Sequence, residues 1–190
     1  RKYHPTARFV FSSSSSIFGD TEELPTSEGA TIDPMSPYAL HKLIGEQYCQ
    51  LYTKIYGLHT TCLRYFNVYG NRMSEEGAYK LVIAVFKTQY ENGDPLNITN
   101  TGEQRRDFTH VDDVIYANLA SATIPSLPPG EIFNIGNGDN SSVNEVAEMF
   151  GGACVYNEKR LEPFETLADN TKARNLLGFK PTGNLKKFIT

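Results

Sequence analysis

Residues 36–48 read Ser-Pro-Tyr-Ala-Leu-His-Lys-Leu-Ile-Gly-Glu-Gln-Tyr, so a tyrosine, Tyr38, precedes a lysine, Lys42, by four positions. Positions i and i+4 share one face of a helix, so the phenol and the ammonium point the same way. A free tyrosine titrates at about 10, and a nearby cation lowers that pKa by favouring the phenolate. We therefore interpret the pair as a candidate acid/base in which the lysine tunes the tyrosine.

Apolar and aromatic residues recur at helical spacing around this pair and end at Gly57, which predicts an amphipathic helix over about 38–56: Leu40, Leu43, Ile44, Tyr48, Leu51, Tyr52 and Ile55. Gly45 lies next on the face of the pair, where the missing side chain leaves room for a cofactor or a strand. Spacing alone also fits an ordinary surface pair of side chains.

Upstream, a short apolar run over 7–11 stops at five consecutive serines, Ser12 to Ser16. This pattern is typical of a buried parallel strand that delivers polar residues to its carboxyl end, where ligands of doubly wound folds bind. A flexible linker is the alternative, but Phe-Val-Phe on one side and Ile-Phe-Gly on the other disfavour it. Residues 20–37 are rich in Thr, Glu, Pro and Gly, and they predict a loop over the site.

Downstream, a β-prone run over 59–65 again ends in polar residues, Asn67 among them. Strand, helix and strand in succession predict a parallel crossover. Beyond Gly70 the pattern predicts a helix at about 79–92, a short strand at 95–99, a helix from Val111 and a strand at 131–135. Ser142 and Glu145 form a capping box at the start of a further helix.

Composition sets the class of protein. The 190 residues are 39% hydrophobic, enough for a core, and the net charge of −4 gives no basic surface for nucleic acid. The longest apolar run, 81–86, is far too short to span a membrane. We interpret Cys49, Cys62 and Cys154 as reduced core thiols. His110 has no second ligand at metal spacing, so we predict no metal site.

Several phrases together resemble the extended short-chain dehydrogenase/reductase superfamily, in its nucleotide-sugar epimerase/dehydratase branch. They are the serine run, the Tyr38/Lys42 pair, Arg64-Tyr65-Phe66-Asn67-Val68-Tyr69-Gly70, Arg106-Asp107-Phe108, Phe133-Asn134-Ile135-Gly136 and the tail over 165–181. The 4-epimerases of UDP-glucose and UDP-N-acetylglucosamine are the most similar. One departure is Phe18, where the branch usually has tyrosine.

The resemblance implies an α/β fold: the C-terminal part of a Rossmann-like doubly wound parallel sheet, plus a smaller mixed α/β substrate-binding lobe. Residues 1–70 would be the second half of an NAD-binding domain. Residues 71–190 would form mainly the sugar-nucleotide lobe, with 108–136 returning to the sheet. No G-x-x-G-x-x-G phrase occurs in the chain. We therefore expect a fragment of a longer enzyme, inactive by itself.

The resemblance also assigns site residues. Catalysis would use Ser14, Tyr38 and Lys42. NAD would contact Ser12, Ser13, Tyr38, Lys42, Tyr65 and Phe66. A UDP-sugar would contact Ser14, Asn67, Arg106 and Arg160. If the motif of the tail is aligned one residue earlier, Lys159 takes the place of Arg160. An arginine fork suits the oxygens of a diphosphate, whereas an Arg106–Asp107 surface pair is the plainer alternative.

The expected activity is an NAD-dependent 4-epimerase of UDP-hexoses or UDP-N-acetylhexosamines that acts through a transient 4-keto sugar. The branch's 4,6-dehydratases carry T-D-E at the serine strand end and its decarboxylases usually carry T-S-E, whereas this chain has Ser14, Ser15 and Ser16. A dehydratase, decarboxylase or reductase of the same superfamily stays open, as does a non-catalytic nucleotide-sugar-binding fragment. We expect a cytoplasmic homodimer that binds no membrane.

Overall fold

The computed structural model describes residues 6–73, 81–158 and 162–190. In chain order its strands are β1 Arg8–Ser14, β2 His59–Tyr65, β3 Val68–Tyr69, β4 Leu96–Thr99, β5 Arg105–Arg106, β6 Thr109–His110, β7 Glu131–Ile135, β8 Ser141–Ser142 and β9 Cys154–Asn157. Its helices are α1 Pro37–Tyr56, α2 Val82–Asn92, α3 Val111–Thr123, α4 Val143–Phe150, α5 Thr171–Leu177 and α6 Leu185–Ile189. A 3-10 turn, Ser15–Phe18, follows β1.

The main sheet is parallel, with its strands in the order β1-β2-β7. Ser14 pairs with Tyr65, and Tyr65 pairs with Ile135, so the carboxyl ends of all three strands lie in line. The strand–helix–strand prediction is confirmed, although β1 extends through the first three serines. Polar groups from neighbouring strands are thereby collected at one edge of the sheet.

Helices cover both faces of this sheet, because alternate residues of a strand point to opposite sides. On one side, Cys62 and Arg64 of β2 face α1, and Arg64 forms an ion pair with Glu46 of that helix. On the other side, Leu63 joins a core built from α3, α5 and the chain after α5. The expected α/β architecture with helices on two faces is therefore present.

The apolar stripe predicted for α1 does not face the sheet. Leu40, Ile44 and Tyr48 are exposed, as are three further members of the stripe, Leu51, Tyr52 and Ile55. The buried positions are instead Ala39, Glu46 and Cys49. The physical reason is that the Phe11 ring of β1 and the Arg64 guanidinium of β2 lie against α1. The face of the helix that meets the sheet therefore carries small and acidic residues.

A second core lies beyond the sheet and joins α2, α4, β4 and the segment after β5 around large apolar side chains: Tyr69, Ile83, Phe86, Leu96, Ile98, Phe108, Val143 and Val146. Its short strands pair as β4-β9 and β3-β6, both parallel, and β5-β8, antiparallel. This is the mixed α/β lobe that the sequence predicts.

All three cysteines are free, but only Cys49 and Cys62 are buried. Cys154 lies on the exposed strand β9, so its assignment to the core is wrong. None of the helices in the described ranges has the length and apolar character that crossing a membrane requires.

Candidate active site

Helix α1 starts at the edge where the parallel strands end. Ser36 caps it by accepting a hydrogen bond from the backbone N–H of Ala39, 3.1 Å away, and Pro37 occupies the first helical position. Gly57 ends the helix in the left-handed conformation. Tyr38 therefore stands within the first turn, beside the carboxyl ends of β1 and β2.

Lys42 and Gly45 of α1 both contact β1. The Nζ of Lys42 donates to the backbone oxygen of Ser12 at 2.8 Å. At Gly45, a Cβ atom would lie 2.1 Å from the ring of Phe11, so a strand rather than a cofactor takes up the room left by this glycine. The Nζ of Lys42 also lies 5.4 Å from the centre of the Tyr38 ring. Tyr38 and Lys42 thus form a local pair, with the ammonium pinned to the strand.

Ser14 ends β1 and has a defined hydrogen-bond arrangement. Its Oγ accepts from the backbone N–H of Ser16 at 3.2 Å and from the Oγ of Ser16 at 2.9 Å. A hydroxyl oxygen has two lone pairs and one proton. With both lone pairs used, the Ser14 hydroxyl is left to act as a hydrogen-bond donor.

Ser12 and Tyr65 form a patch of hydroxyls next to Lys42. The Oγ of Ser12 lies 3.2 Å from the phenol oxygen of Tyr65, and the amide of Asn118 on α3 also bonds to that phenol. Ser12 is exposed. The patch therefore offers an ammonium and two hydroxyls on one surface.

Ser13 and Phe66 differ from the other residues predicted to bind the cofactor. Ser13 points to the α1 side, where its hydroxyl donates to Oε1 of Glu46 at 2.5 Å. Phe66 is buried in a cluster with Phe18 and Ala168. The Ser13 hydroxyl is thus already committed, and a cofactor contact at that residue stays a prediction for its backbone alone.

A buried ion pair that was not predicted from the sequence lies beneath the site. Arg64 donates from Nε and Nη2 to the two carboxylate oxygens of Glu46, at 2.9 and 2.8 Å. A third donor, Nη1, bonds to the backbone oxygen of Glu28, whose own carboxylate accepts from the backbone N–H of Asn134. The signal was available, since an arginine inside a buried strand needs an acidic partner. This network joins α1, β1, β2, β7 and the loop over 20–36.

Asp107 organises the region where the sheet meets the lobe. Its carboxylate accepts from the backbone N–H groups of Asn137, Gly138 and Ala168, at 2.7, 3.0 and 3.1 Å. Burial raises the pKa of Asp107 to about 6, and the donated hydrogen bonds oppose that rise. The backbone oxygen of Asp107 accepts from the side-chain amide of Asn67 at 3.1 Å, which fixes that amide at the end of β2.

A cavity of about 340 Å³ lies between β4, α2 and β5. Arg106 lines it and donates from Nη2 to Glu162 at 2.7 Å, and Asn67 lines it as well. The alternative of an Arg106–Asp107 surface pair is wrong, because Arg106 is buried and pairs with Glu162 while Asp107 accepts backbone N–H groups. Lys159 and Arg160 lie outside the described residues.

His110 has a structural role at the start of α3. Its Nδ1 accepts from the backbone N–H of Asp112 at the start of α3, and its ring lies edge-on to Tyr69. Over the part of the chain that the structure describes, no group of three His, Cys, Asp or Glu side chains could hold a metal ion.

A tyrosine and a lysine one helical turn apart, beside the carboxyl ends of parallel strands with a serine at the neighbouring strand end, define the dehydrogenase/reductase class of Rossmann-like proteins. The family model described as "NAD dependent epimerase/dehydratase family" matches residues 1–136. The chain belongs to this family, whose cofactor is NAD.

Individual relatives are similar over nearly the whole chain. A putative UDP-glucose 4-epimerase of Methanocaldococcus jannaschii is 36% identical to this chain. The match covers 100% of this chain and 62% of that protein. Thermotoga maritima UDP-glucose 4-epimerase, solved with UDP-glucose, is 33% identical and superposes with a TM-score of 0.89. The match covers 96% of this chain and 61% of that chain. Bacillus cereus UDP-glucuronic acid 4-epimerase, solved with UDP-glucuronic acid and NAD, is 31% identical with a TM-score of 0.88. The match covers 99% of this chain and 62% of that chain. The chain thus spans about three fifths of the length of these relatives.

Proposed function

We propose that the protein containing this chain is an NAD-dependent 4-epimerase of UDP-sugars, acting on a UDP-hexose or a UDP-N-acetylhexosamine. The observation that carries the proposal is at the carboxyl edge of the parallel sheet, where Ser14 ends β1 and Lys42, which lies beside Tyr38 on α1, bonds to the backbone of Ser12 on the same strand. The relatives support it, because those compared above act on, or are solved with, UDP-sugars.

The patch beside Tyr38 fits part of the cofactor. Lys42, Ser12 and Tyr65 offer an ammonium and hydroxyls to the ribose next to the nicotinamide, which is rich in hydroxyl groups. Bound NAD would supply a hydride acceptor that can also return the hydride to the sugar. The chain's own part is to hold that ribose, with Lys42 kept in place by the backbone of Ser12.

Proton transfer falls to Tyr38. As phenolate it would take the proton from the sugar 4-hydroxyl, and it would return that proton once the hydride has come back to the other face of C4. The hydroxyl of Ser14 would donate to the same sugar oxygen, because both of its lone pairs are used by Ser16. Ser14 therefore orients the substrate rather than removing its proton.

The nucleotide half of the substrate would occupy the cavity lined by Arg106 and Asn67. A guanidinium and an amide suit a diphosphate, and the apolar wall of Leu81, Val82 and Phe108 suits a base. We accordingly propose residues 1–70, together with the return over 108–136, as the cofactor side. The remainder of 71–190 is the sugar-nucleotide side.

The strand end favours epimerisation over elimination or decarboxylation. Loss of the sugar 6-hydroxyl needs a carboxylic acid as proton donor. Ser15 and Ser16 occupy the positions where the family's dehydratases carry an aspartate and a glutamate, and Ser16 also occupies the position where its decarboxylases usually carry a glutamate. Here Ser16 is bonded to Ser14. An epimerase needs only the tyrosine, the cofactor and room for the keto sugar to turn.

The test is product analysis with the complete protein. We expect UDP-glucose or UDP-N-acetylglucosamine to give its C4 epimer with no net NADH, as followed by NMR and by absorbance. A stable keto sugar that has lost water, or a pentose formed by loss of carbon dioxide from UDP-glucuronic acid, would overturn the assignment. Tight binding of UDP-sugars without turnover would favour the non-catalytic binding module.

A further inference from the structure

An asparagine, Asn118, occupies a half-buried position in the middle of α3 and faces β2. Asparagine is a poor residue for a helix interior, because its amide competes with the backbone for hydrogen bonds. Here the amide nitrogen donates to the backbone oxygen of Val114, one turn earlier, at 2.8 Å, and to the phenol oxygen of Tyr65 at 2.9 Å. Because a backbone oxygen can only accept, the contact with Val114 fixes which end of the amide is the nitrogen.

The orientation of this amide decides where the proton of Tyr65 goes. The side-chain oxygen of Asn118 lies 3.1 Å from the phenol oxygen and cannot donate, so the phenol is the donor in this contact. Every polar group of the amide then has a partner, since its two hydrogens go to Val114 and Tyr65. If the phenol donated to Ser12 instead, the amide oxygen would be without a donor among the described residues.

The hydroxyl of Ser12 takes its direction from this arrangement. Its Oγ lies 3.2 Å from the phenol oxygen, and by distance alone either hydroxyl could donate. With the phenol proton given to Asn118, the serine hydroxyl is the donor, and the exposed Oγ keeps its lone pairs as acceptors. The ammonium of Lys42, a donor, is bonded to the backbone oxygen of the same serine. The surface therefore offers an acceptor beside a donor, which suits a ligand hydroxyl because that group can donate and accept.

We propose that Asn118 is a positioning residue for the cofactor and acts through Tyr65 and Ser12. By taking the phenol proton it makes the Ser12 hydroxyl donate inward, so that the lone pairs of Ser12 stay available to a hydroxyl of bound NAD. The role falls on α3, a helix that carries none of the site residues predicted from the sequence. The inference rests on the proposed function, because it takes the surface formed by Lys42, Ser12 and Tyr65 to be part of the NAD site.

The experiment is calorimetric titration of the complete protein, prepared free of bound cofactor, with NAD and separately with UDP. Asn118→Leu is close to asparagine in shape but cannot take the phenol proton, so NAD should bind about fivefold more weakly, as for one lost hydrogen bond. The affinity for UDP should not change, whereas a general structural defect would weaken both ligands. Tyr65→Phe should weaken NAD binding to a similar degree. The double variant Asn118→Leu/Tyr65→Phe should be no weaker than either single variant, because both changes act through one phenol.

Thr123→Val is the matched control on the same helix. The exposed hydroxyl of Thr123 donates to the backbone oxygen of Leu119, one turn earlier, at 2.7 Å, as the amide of Asn118 does to Val114. Valine keeps the shape of threonine and removes that bond without altering the phenol of Tyr65. The control should therefore bind NAD as wild type does.

The outcomes separate the inference from the proposed function. If wild type and Asn118→Leu bind NAD equally, or if Thr123→Val weakens NAD as much as Asn118→Leu, the positioning role is overturned and the proposed function stands. Losses that multiply to about 25-fold in the double variant would also overturn it, because groups that act independently contribute additively to the free energy. If wild type does not bind NAD, the cofactor side of the proposed function is wrong and the inference fails with it. Should Asn118→Leu not fold, Tyr65→Phe decides, since unchanged NAD affinity would show that the phenol held by Asn118 does not act on the cofactor.

Discussion

At the scale of the residue, the end of β1 shows how a hydroxyl acquires a direction. Ser16 donates to Ser14 through both its backbone and its side chain, so the Ser14 proton points away from the turn. A lone serine would rotate its hydroxyl freely among several partners. The arrangement makes Ser16 a positioning residue for the proposed substrate contact.

Ser16→Ala should lower kcat by about tenfold with little change in KM, because it removes one of the two hydrogen bonds that orient Ser14. Ser16→Thr keeps the hydroxyl and should restore most of the rate. The measurement is steady-state epimerase kinetics on the complete protein. Equal rates for wild type and Ser16→Ala would exclude the positioning role.

Tyr38→Phe tests the acid/base directly. Removing one positioned proton-transfer group costs about 10²–10⁴ in rate, so we expect at least that loss in kcat, with UDP-sugar affinity nearly unchanged. Turnover and calorimetric binding are measured on the same preparation. Tyr48→Phe on the exposed face of α1 is the control and should behave as wild type. Near-normal turnover of Tyr38→Phe would remove this residue from the mechanism.

At the scale of the element, α1 is attached to the sheet by polar contacts as much as by apolar packing. Glu46 accepts from Ser13 of β1 and from Arg64 of β2, so a single carboxylate fixes the helix to two strands. The Arg64 guanidinium also lies 4.9 Å from the centre of the Phe18 ring. Tyr38 and Lys42, on the preceding turns, take their position from this anchor.

Glu46→Gln should lower the free energy of unfolding by about 3–5 kcal/mol, because it leaves the buried Arg64 charge without its counter-ion. Urea unfolding followed by circular dichroism measures the change. Glu91→Gln is the control: its pair with Lys87 is exposed and 3.9 Å long, so a change below about 1 kcal/mol is expected. The double variant Glu46→Leu/Arg64→Met should be more stable than Glu46→Gln. Equal effects at positions 46 and 91 would contradict the anchor.

At the scale of the whole molecule, Asp107 links the sheet to the lobe. One carboxyl group accepts backbone donors from the segment after β7 and from the segment before α5, while Asn67 of the sheet edge bonds to its backbone oxygen. The two proposed halves of the site are therefore held in one arrangement by one buried side chain.

Asp107→Asn should lower the free energy of unfolding by about 2–3 kcal/mol. The NH₂ group of the new side chain would face backbone N–H groups that, in the wild type, donate to the carboxylate. The cost should depend on pH. Folding raises the pKa of Asp107 to about 6, so the folded state binds this proton more tightly than the unfolded state. Its stabilising contribution is therefore complete below the ordinary pKa of about 4 and is lost as the pH rises through about 6.

The stability difference between wild type and Asp107→Asn should accordingly shrink from pH 4 to pH 7, as measured by urea unfolding at several pH values. A difference that stays constant with pH would contradict the raised pKa. The homodimer and the cytoplasmic location stay predictions.

Local sequence was enough to predict the longer strands and helices and the edge of the sheet where polar residues gather. An apolar run followed by serines, and helical spacing that ends at Gly57, are local patterns from which a strand and a helix can be predicted. The limits of β2 and β7 came out as predicted. The motif resemblance supplied the roles of Tyr38 and Lys42.

Contacts between distant parts of the chain determine which face of α1 is buried, which partner Arg106 takes and where the hydroxyl of Ser13 points. The helical period is the same for either face of α1, so the choice depended on the phenyl ring of Phe11 and the guanidinium of Arg64, which come from other strands. The Arg106–Glu162 pair and the contact between Tyr65 and Asn118 likewise depend on side chains that are far apart in the chain. Long-range pairing of polar groups follows from desolvation inside the folded protein. Local sequence indicates that a buried arginine needs an acidic partner, but it does not show which residue that partner is.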